Sequence, residues 1–132
     1  MLKIKRIGTA IPAQDVKRAR DFYEQKVGLK PSQETPDGGA MYMVGDTGFF
    51  IFASSGKASG THTQMAFDVD DVEETARELK SRGVKLEEYD MPDFKTRDGI
   101  MDLPDGGKGA WFKDTEGNLI ALGTLVPAAS RS

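Results

Sequence analysis

The chain of 132 residues contains no cysteine and only one histidine, His62. Without thiols it can form neither a disulfide nor a thiolate metal site, and it has no cysteine nucleophile. A single imidazole also excludes zinc sites that combine several histidines and cysteines. Any bound metal ion would therefore be held mainly by oxygen ligands.

Long apolar runs and clusters of basic residues are also missing. The longest apolar run, residues 49–53, is too short to span a bilayer, and no apolar segment follows the basic start of the chain as in a signal peptide. The 18 Lys and Arg residues against 21 Asp and Glu residues give a net charge of −3, without the clustered positive charge that binds nucleic acid. We expect a soluble, cytoplasmic protein that binds neither membranes nor nucleic acid.

The chain repeats itself. An offset of 56 residues aligns Gly8 with Gln64 and Asp15 with Asp71, and in each copy an apolar strand leads into an amphipathic helix. An offset of 69 residues aligns segments 39–54 and 109–123, which both read as two strands joined by an Asp/Gly turn. These offsets predict a single domain of two βαβββ modules, about 1–56 and 61–126, with an inserted loop at about 88–107.

Helix signals are clear in both modules. Asp15 in the first module, and Asp70 and Asp71 in the second, are placed to cap helices that end at Gly28 and Gly83. Helices on one side of the strands predict an α+β fold, with a curved mixed sheet around a cleft. The predicted strands are Ile4–Ile11, Ala40–Val44, Gly48–Ala53, His62–Val69, Lys108–Lys113 and Asn118–Leu125, with weaker ones at Lys30–Glu34 and Lys85–Tyr89.

The order of these motifs resembles the vicinal oxygen chelate superfamily, which contains glyoxalase I, bleomycin-resistance proteins and extradiol dioxygenases. The resemblance is carried by three segments: IPAQDVKRARDFYEQKVGLKP (residues 11–31), FDVDDVEETARELKSRGVKL (67–86) and WFKDTEGNLIAL (111–122). It implies a glyoxalase/bleomycin-resistance-like fold, a small-molecule ligand and a homodimer.

The resemblance also implies where a metal would lie. Metal-using members hold the ion on side chains from the first and last strands of each module, and these positions correspond to Gly8, Phe52, Gln64 and Ala121. Only Gln64 offers an oxygen ligand, whereas hard cations need several, usually with carboxylates among them. We therefore expect the metal site to be lost and no cofactor to be bound.

Two polar residues on one predicted strand are candidates for the site. Gln64 is either a polar anchor for a ligand or an ordinary strand residue satisfied by backbone groups. Asp68 shares its strand face and is either a cleft carboxylate that binds a basic group or acts as a general base, or a solvated strand end. His62 begins the strand and is expected at its exposed end, near the rim of the cleft.

The apolar candidates are Phe52, Met43 and Trp111, which are placed on strands as cleft walls, with core packing as the alternative reading. Phe94 lies in the inserted loop, which is expected to be a lid over the cleft, a plug at one end of it or a subunit contact. Asp114 and Glu116 are expected to form a turn rather than a catalytic pair.

These observations leave three hypotheses. The first is a metal-independent protein of the bleomycin-resistance type that binds an organic ligand in an apolar cleft lined by Gln64, Phe52 and Trp111 and covered by Phe94. The second is a glyoxalase- or dioxygenase-like enzyme with a rearranged active site that uses Gln64, Asp68 or His62. The third is a domain whose cleft is filled by its own side chains.

Overall fold

The computed structural model describes residues 2–104 and 106–123. The chain divides into two compact units, with unit 1 ending at Ala58 and unit 2 beginning at Ser59. Each unit contains a mixed four-stranded sheet and a helix between its first and second sheet strands. The fold is therefore α+β and is built from two βαβββ-like modules, as the repeat predicted.

Unit 1 is a sheet of four strands in the order β1-β4-β3-β2. Strands β1 and β4 are parallel, whereas β3 is antiparallel to both of its neighbours. Its elements are β1 (Thr9–Ala13), α1 (Val16–Asp21), β2 (Pro31–Glu34), β3 (Ala40–Val44) and β4 (Thr47–Ala53).

The helix of unit 1 begins and ends where its capping residues predict. The Asp15 side chain accepts a hydrogen bond from the Arg18 N–H at 3.0 Å, which satisfies a free amide of the first turn. After α1 the backbone continues as a π-helical segment, Phe22–Val27, which a 3.6-residue pattern does not distinguish from α-helix. Gly28 ends it with φ of 88°, a left-handed conformation that glycine adopts without strain.

The core of unit 1 lies between the helix and one face of the sheet. Tyr23, Tyr42 and Phe49 are 0–4% exposed, and the Tyr23 and Phe49 ring centroids are 5.1 Å apart. The Tyr42 hydroxyl donates to Glu24 Oε2 at 2.7 Å, so this buried polar group is satisfied. Burial, together with the Glu24 carboxylate, raises the pKa of Tyr42. The hydroxyl thus remains a proton donor that holds the helix against β3.

Unit 2 is a second four-stranded sheet, in the order β5-β10-β9-β8. Strands β5 and β10 are parallel, and β9 is antiparallel to β10 and β8. The segment between the helix and the sheet edge forms a separate hairpin, β6–β7. The elements are β5 (Thr63–Asp68), α2 (Val72–Ser81), β6 (Asp90–Met91), β7 (Phe94–Lys95), β8 (Ile100–Asp102), β9 (Lys108–Lys113) and β10 (Leu119–Gly123).

Helix α2 packs on the face of the sheet that carries Phe112 and Ile120. The Asp71 side chain caps it by accepting from the Glu74 N–H at 3.0 Å, and Gly83 follows its end with φ of 87°. Both ends of α2 were predicted from these residues. Within residues 2–104 and 106–123, the helices lack the length and apolar character that a membrane crossing requires.

Several predicted strand boundaries need correction. The first strand was predicted from Ile4 but begins at Thr9, and Leu2 and Ile4 are 82% and 65% exposed. In the described part of the chain, no strand pairs with residues 2–8. The weaker strand predicted at Lys85–Tyr89 is reduced to one bridge, between Leu86 and Phe112. The strands Ala40–Val44 and Lys108–Lys113 are confirmed without change. The last predicted strand extended to Leu125, and its two final residues lie outside the described part of the chain.

The region predicted as an inserted loop is more ordered than expected. Residues 88–107 contain the hairpin β6–β7 and the edge strand β8. The short hairpin escaped sequence reading because each of its strands has only two residues, too few to show an alternating pattern.

Candidate functional site

The face of the unit 1 sheet that points away from the core is formed by half-buried apolar side chains. Phe50 and Phe52 alternate with the buried residues of β4, and their ring centroids are 6.3 Å apart. Met41 lies opposite Phe50 in the register of β3 and β4, and Met43 follows on the same face, where it is 38% exposed. We call this surface the phenylalanine face.

The strand register corrects the predicted equivalence between the two modules. Ala10 pairs with Phe50 in unit 1, whereas its counterpart Ala66 pairs with Ala121 in unit 2. The residue equivalent to Ala121 is therefore Phe50, not Phe52 as the offset of 69 residues predicted. The turns between the paired strands differ in length, and a gap placed by sequence alone missed the strand register by two residues.

Phe50 also lies beside Gly8, the other position of unit 1 that corresponds to a metal ligand in metal-using members of the superfamily. A side chain carbon built on Gly8 would lie 3.8 Å from Phe50 Cε1, which is ordinary van der Waals contact. A side chain at Gly8 would therefore fit and would contact the phenyl ring of Phe50. Phe52 lies two residues further along β4, opposite Pro12.

In unit 2, three aromatic side chains form a cluster. The Phe94 and Trp111 ring centroids are 5.1 Å apart, and Tyr89 makes edge-on contacts with Phe94 at 5.1 Å and with Trp111 at 5.8 Å. A side chain carbon on Gly109 would lie 3.2 Å from the Trp111 ring, so this glycine leaves room for the indole against the strand. The structure thus brings the predicted residues Phe94 and Trp111 together, and we call the three residues the aromatic cluster.

Tyr89 is the member of this cluster that sequence reasoning missed. It lies just before the hairpin β6–β7, and the Tyr89 amide donates to Thr96 Oγ1 at 2.8 Å, which fixes the start of the insertion. Burial raises the pKa of the Tyr89 hydroxyl, with a smaller contribution from Glu87. The available signal was its spacing: an aromatic residue placed five positions before Phe94, at the opposite side of a Pro-Asp turn.

Gln64 occupies an irregular position on β5. The register runs from the pair Thr63 and Leu119 directly to the pair Met65 and Ile120, so Gln64 is the extra residue of a β-bulge. Its Oε1 atom is buried and accepts no hydrogen bond from the described residues. An unsatisfied buried acceptor costs about 1–3 kcal/mol, which a donor from outside the chain can recover. Sequence reading predicted Gln64 as a candidate but not the bulge.

The remaining polar candidates are exposed. His62 precedes β5, and its Nδ1 atom lies 3.2 Å from Ser59 Oγ, within the local loop. Asp68 ends β5, is exposed and lies opposite Gly123. The expectation of an exposed position for His62 is confirmed.

The carboxylates of the turn between β9 and β10 have a structural role. Asp114 Oδ1 accepts from the amides of Glu116 at 2.8 Å and Asn118 at 2.9 Å, and Oδ2 accepts from Asn118 Nδ2 at 2.8 Å. All three residues are buried. The turn-forming role predicted for Asp114 is confirmed, since its carboxylate organises the turn.

The side chains at the four positions do not form a ligand set for the metal ion that this fold holds in some proteins. Gly8 and Ala121 have no coordinating atoms, and Phe50 or Phe52 supplies only carbon, so Gln64 Oε1 is the single oxygen among these positions. In the parts of the chain that the structure describes, no three His, Cys, Asp or Glu residues are grouped so that they can hold a metal ion.

The two modules, each with a helix between the first and second strands of a mixed sheet, define the glyoxalase type of fold. The chain belongs to the Glyoxalase/Bleomycin resistance protein/Dioxygenase superfamily, whose family model matches residues 3–122. Comparison with curated protein sequences finds no match.

Solved structures with the same fold include both enzymes and binding proteins. The lactoylglutathione lyase from Agrobacterium tumefaciens is 20% identical with a TM-score of 0.69, and the alignment covers 92% of this chain and 95% of that one. TnmS3, an antibiotic binding protein from Streptomyces sp. CB03234, is 22% identical with a TM-score of 0.67, over 94% and 98%. The bleomycin resistance determinant encoded on the transposon Tn5 is 21% identical with a TM-score of 0.68, over 92% and 98%. At these identities the similarity establishes the fold alone.

Proposed function

We propose that this protein binds an organic small molecule without a metal ion, through the apolar surface of the aromatic cluster and the acceptor of Gln64. The observation that carries the proposal is the buried Gln64 Oε1, for which no described residue supplies a donor. A ligand with an N–H or O–H group beside an aromatic ring would satisfy both features.

The aromatic cluster supports an apolar ligand. The Trp111 side chain is half-buried and lies on the sheet face opposite the α2 core, with Phe94 and Tyr89 fixing its position through ring contacts. Flat aromatic surfaces of this kind gain about 0.5–1.5 kcal/mol from each favourable ring pair beyond the burial of area. A planar ligand is therefore favoured over a flexible polar one.

The positions of the aromatic cluster and Gln64 within unit 2 support a shared site. Trp111 pairs with Ala121, which pairs with Ala66, so these three residues form one row across β9, β10 and β5. Gln64 precedes Ala66 by two residues on β5, and the small alanine side chains between them leave apolar surface uncovered.

The loss of metal ligands supports binding over the chemistry of metal-using relatives. The alternative of a glyoxalase- or dioxygenase-like enzyme would need a base or electrophile near the ligand, and the candidate side chains of His62 and Asp68 are exposed. The structural neighbours include an antibiotic binding protein and a bleomycin resistance determinant, which is consistent with a sequestration function that needs no catalytic group. The phenylalanine face, with Phe52 and Met43, is a second apolar surface for such a ligand.

Calorimetric titration with two probes tests the proposal. 1-Naphthol offers an O–H donor beside an aromatic ring system, whereas naphthalene offers the same rings without the donor. We expect Gln64→Ala to weaken 1-naphthol binding by about two- to tenfold, the equivalent of one hydrogen bond, and to leave naphthalene binding unchanged. Phe94→Ala should weaken both probes. Gln33→Ala, an exposed amide on β2 of unit 1, is the matched control.

Two outcomes would contradict the proposal. If neither probe releases heat with the native protein, the interpretation that the aromatic surface is filled by the protein's own side chains gains support. If Gln64→Ala and Gln33→Ala have equal effects, Gln64 is not the ligand anchor. The homodimer implied by the resemblance and the cytoplasmic location expected from the composition belong to the same proposal, and light scattering of the purified protein tests the dimer.

A further inference from the structure

A groove of about 840 Å³ lies within unit 2, between α2 and the inserted hairpin. None of the four positions at which this fold can hold a metal lines the groove, and neither Gln64 nor Trp111 does. Its volume falls in the range of small-molecule sites, which extend from about 300 to 1,000 Å³. It is therefore a further place in the molecule where a ligand of moderate size fits.

Helix α2 forms one wall of the groove with a single stripe of side chains. Glu73, Ala76, Arg77 and Lys80 follow the spacing that places residues on one face of a helix. Ala76 is 2% exposed and supplies an apolar base to this wall. The opposite wall consists of the hairpin and β8, with apolar contributions from Phe94, Pro92, Ile100 and Met101.

Two polar contacts cross the groove, one at each end of this stripe of side chains. Near the start of α2, Glu73 Oε1 lies 3.6 Å from Lys108 Nζ, which also binds Asp102. Seven residues after Glu73, Lys80 Nζ donates to the Asp98 carbonyl oxygen at 2.9 Å. These two contacts link α2 to β9 and to the insertion at the two ends of the stripe.

Arg77 lies on α2 between these two contacts, and its charged side chain is available to a ligand. Among the described residues, no side chain or carbonyl forms a hydrogen bond or salt bridge with the side chain of Arg77, and the same holds for Lys95 and Arg97 on the facing wall. Arg97 contributes only a favourable charge interaction to Asp102. Three cationic side chains from two walls thus line one groove with their donors available.

Acidic side chains also line the groove, and they define which ligands fit. Two of the four, Glu73 and Asp102, are engaged by Lys108, whereas Asp93 and Asp98 lie in the hairpin and after it. Three cationic side chains, those of Arg77, Lys95 and Arg97, and two carboxylates, those of Asp93 and Asp98, therefore remain available to a ligand. The excess of positive charge favours an anion that carries its charge at one end. A ligand with several negative charges would be repelled by the two carboxylates.

We propose that the groove between α2 and the inserted hairpin binds an organic anion, with its carboxylate or phosphate group on Arg77 and Arg97 and its apolar body against Ala76, Phe94 and Met101. Guanidinium groups suit this role because their paired N–H donors match the two oxygens of a carboxylate or phosphate. This inference does not depend on the function proposed above.

A fluorescent anion tests the inference directly. We choose 8-anilinonaphthalene-1-sulfonate, which combines a sulfonate with an apolar body, and its uncharged analogue N-phenyl-1-naphthylamine. Phe94 lines the groove and contacts Trp111, so a probe bound there accepts excitation energy from the only tryptophan. We expect Arg77→Gln and Arg97→Gln each to raise the dissociation constant of the anionic probe at least fivefold, and to change binding of the uncharged analogue less than twofold.

Two variants serve as controls. Arg6→Gln removes the same charge from an exposed site in unit 1, and Gln64→Ala alters the site of the proposed function, so both should leave anion binding unchanged. Among the described residues the Arg77 side chain forms no hydrogen bond or salt bridge that the substitution would remove, so the melting temperature of Arg77→Gln should equal that of the native protein. Competition by phenyl phosphate and by 3-phenylpropionate distinguishes a phosphate ligand from a carboxylate ligand.

The inference is overturned if the arginine variants bind the anionic probe as tightly as the native protein does. It is also overturned if Phe52→Ser weakens the probe and Arg77→Gln does not, since the probe then binds at the phenylalanine face. Equal weakening by Arg6→Gln and Arg77→Gln would likewise contradict it, because a general charge effect would then explain the loss.

Discussion

The phenyl ring of Phe94 lies against the indole of Trp111, with the ring centroids 5.1 Å apart and the ring planes inclined by 48°. The contact joins the inserted hairpin to strand β9 of the unit 2 sheet. The insertion is therefore packed against the sheet that carries the proposed ligand site, and Trp111 is a natural reporter of its position.

Phe94→Ala should shift the fluorescence emission of Trp111 to longer wavelength. Removing the phenyl ring uncovers one side of the indole, which then meets water. Met91→Ala is the matched control, because Met91 pairs with Phe94 in the same hairpin and is 49% exposed. Identical emission spectra for Phe94→Ala and the native protein would contradict the packing of the insertion on β9.

Divalent metal ions should leave the melting temperature unchanged. Mn²⁺, Ni²⁺ or Zn²⁺ stabilises a protein only if it binds the native state, and the available ligand set contains one neutral amide oxygen, that of Gln64. Differential scanning fluorimetry with each ion, and with EDTA as the reference, measures this. A rise in melting temperature that disappears in Gln64→Ala would show that a metal site exists.

The contribution of Asp37 to the stability of the protein should depend on the pH. Its Oδ2 accepts from the Ala53 amide at 2.8 Å, and with Thr35 and Gly39 this contact lowers the pKa of Asp37 to about 2. A lowered pKa means that the folded state favours the ionised carboxylate, so the contribution is complete above the unfolded pKa of about 3.9. It is lost as the pH falls from about 4 through 2.

The measurement compares the melting temperatures of Asp37→Asn and the native protein across this range. The variant should melt lower at pH 7, and the difference should shrink between pH 4 and 2. Asp46→Asn, which removes the same charge from the exposed turn between β3 and β4, is the control. A difference that stays constant down to pH 2 would contradict the assigned hydrogen bonds.

Gly99→Ala should destabilise the protein more than Gly106→Ala. Both glycines have left-handed backbones, with φ of 81° and 88°, so each substitution costs about 1–2 kcal/mol from backbone strain. At Gly99 the added carbon would also lie 2.5 Å from Leu86 Cδ1, whereas around Gly106 no described atom lies within 4 Å. Urea unfolding measures the free energy of unfolding of both variants. Equal losses would contradict the prediction, because Leu86 would then move away from the added carbon at no cost.

The helices illustrate what local sequence predicts well. Asp15 and Asp71 lie at the start of their helices and Gly28 and Gly83 at the end, as predicted, because capping and left-handed backbone are properties of a few adjacent residues. The repeat of two βαβββ modules followed from the same local patterns taken in order.

The strand register illustrates what local sequence predicts poorly. The position equivalent to Ala121 proved to be Phe50 rather than Phe52, and Gln64 proved to be the extra residue of a bulge. Register depends on hydrogen bonds between strands that are distant in the chain, and a gap placed in a turn does not reveal it.

The sequence by itself determined the superfamily, the two modules, the ends of the helices and the scarcity of side chains that could bind a metal. Each of these depends on residue identity and local order. Tertiary structure alone decided that Tyr89 completes the aromatic cluster and that Arg77 and Arg97 line the same groove. Both depend on how the insertion folds against β9 and α2, which is set by side-chain packing between residues far apart in the chain.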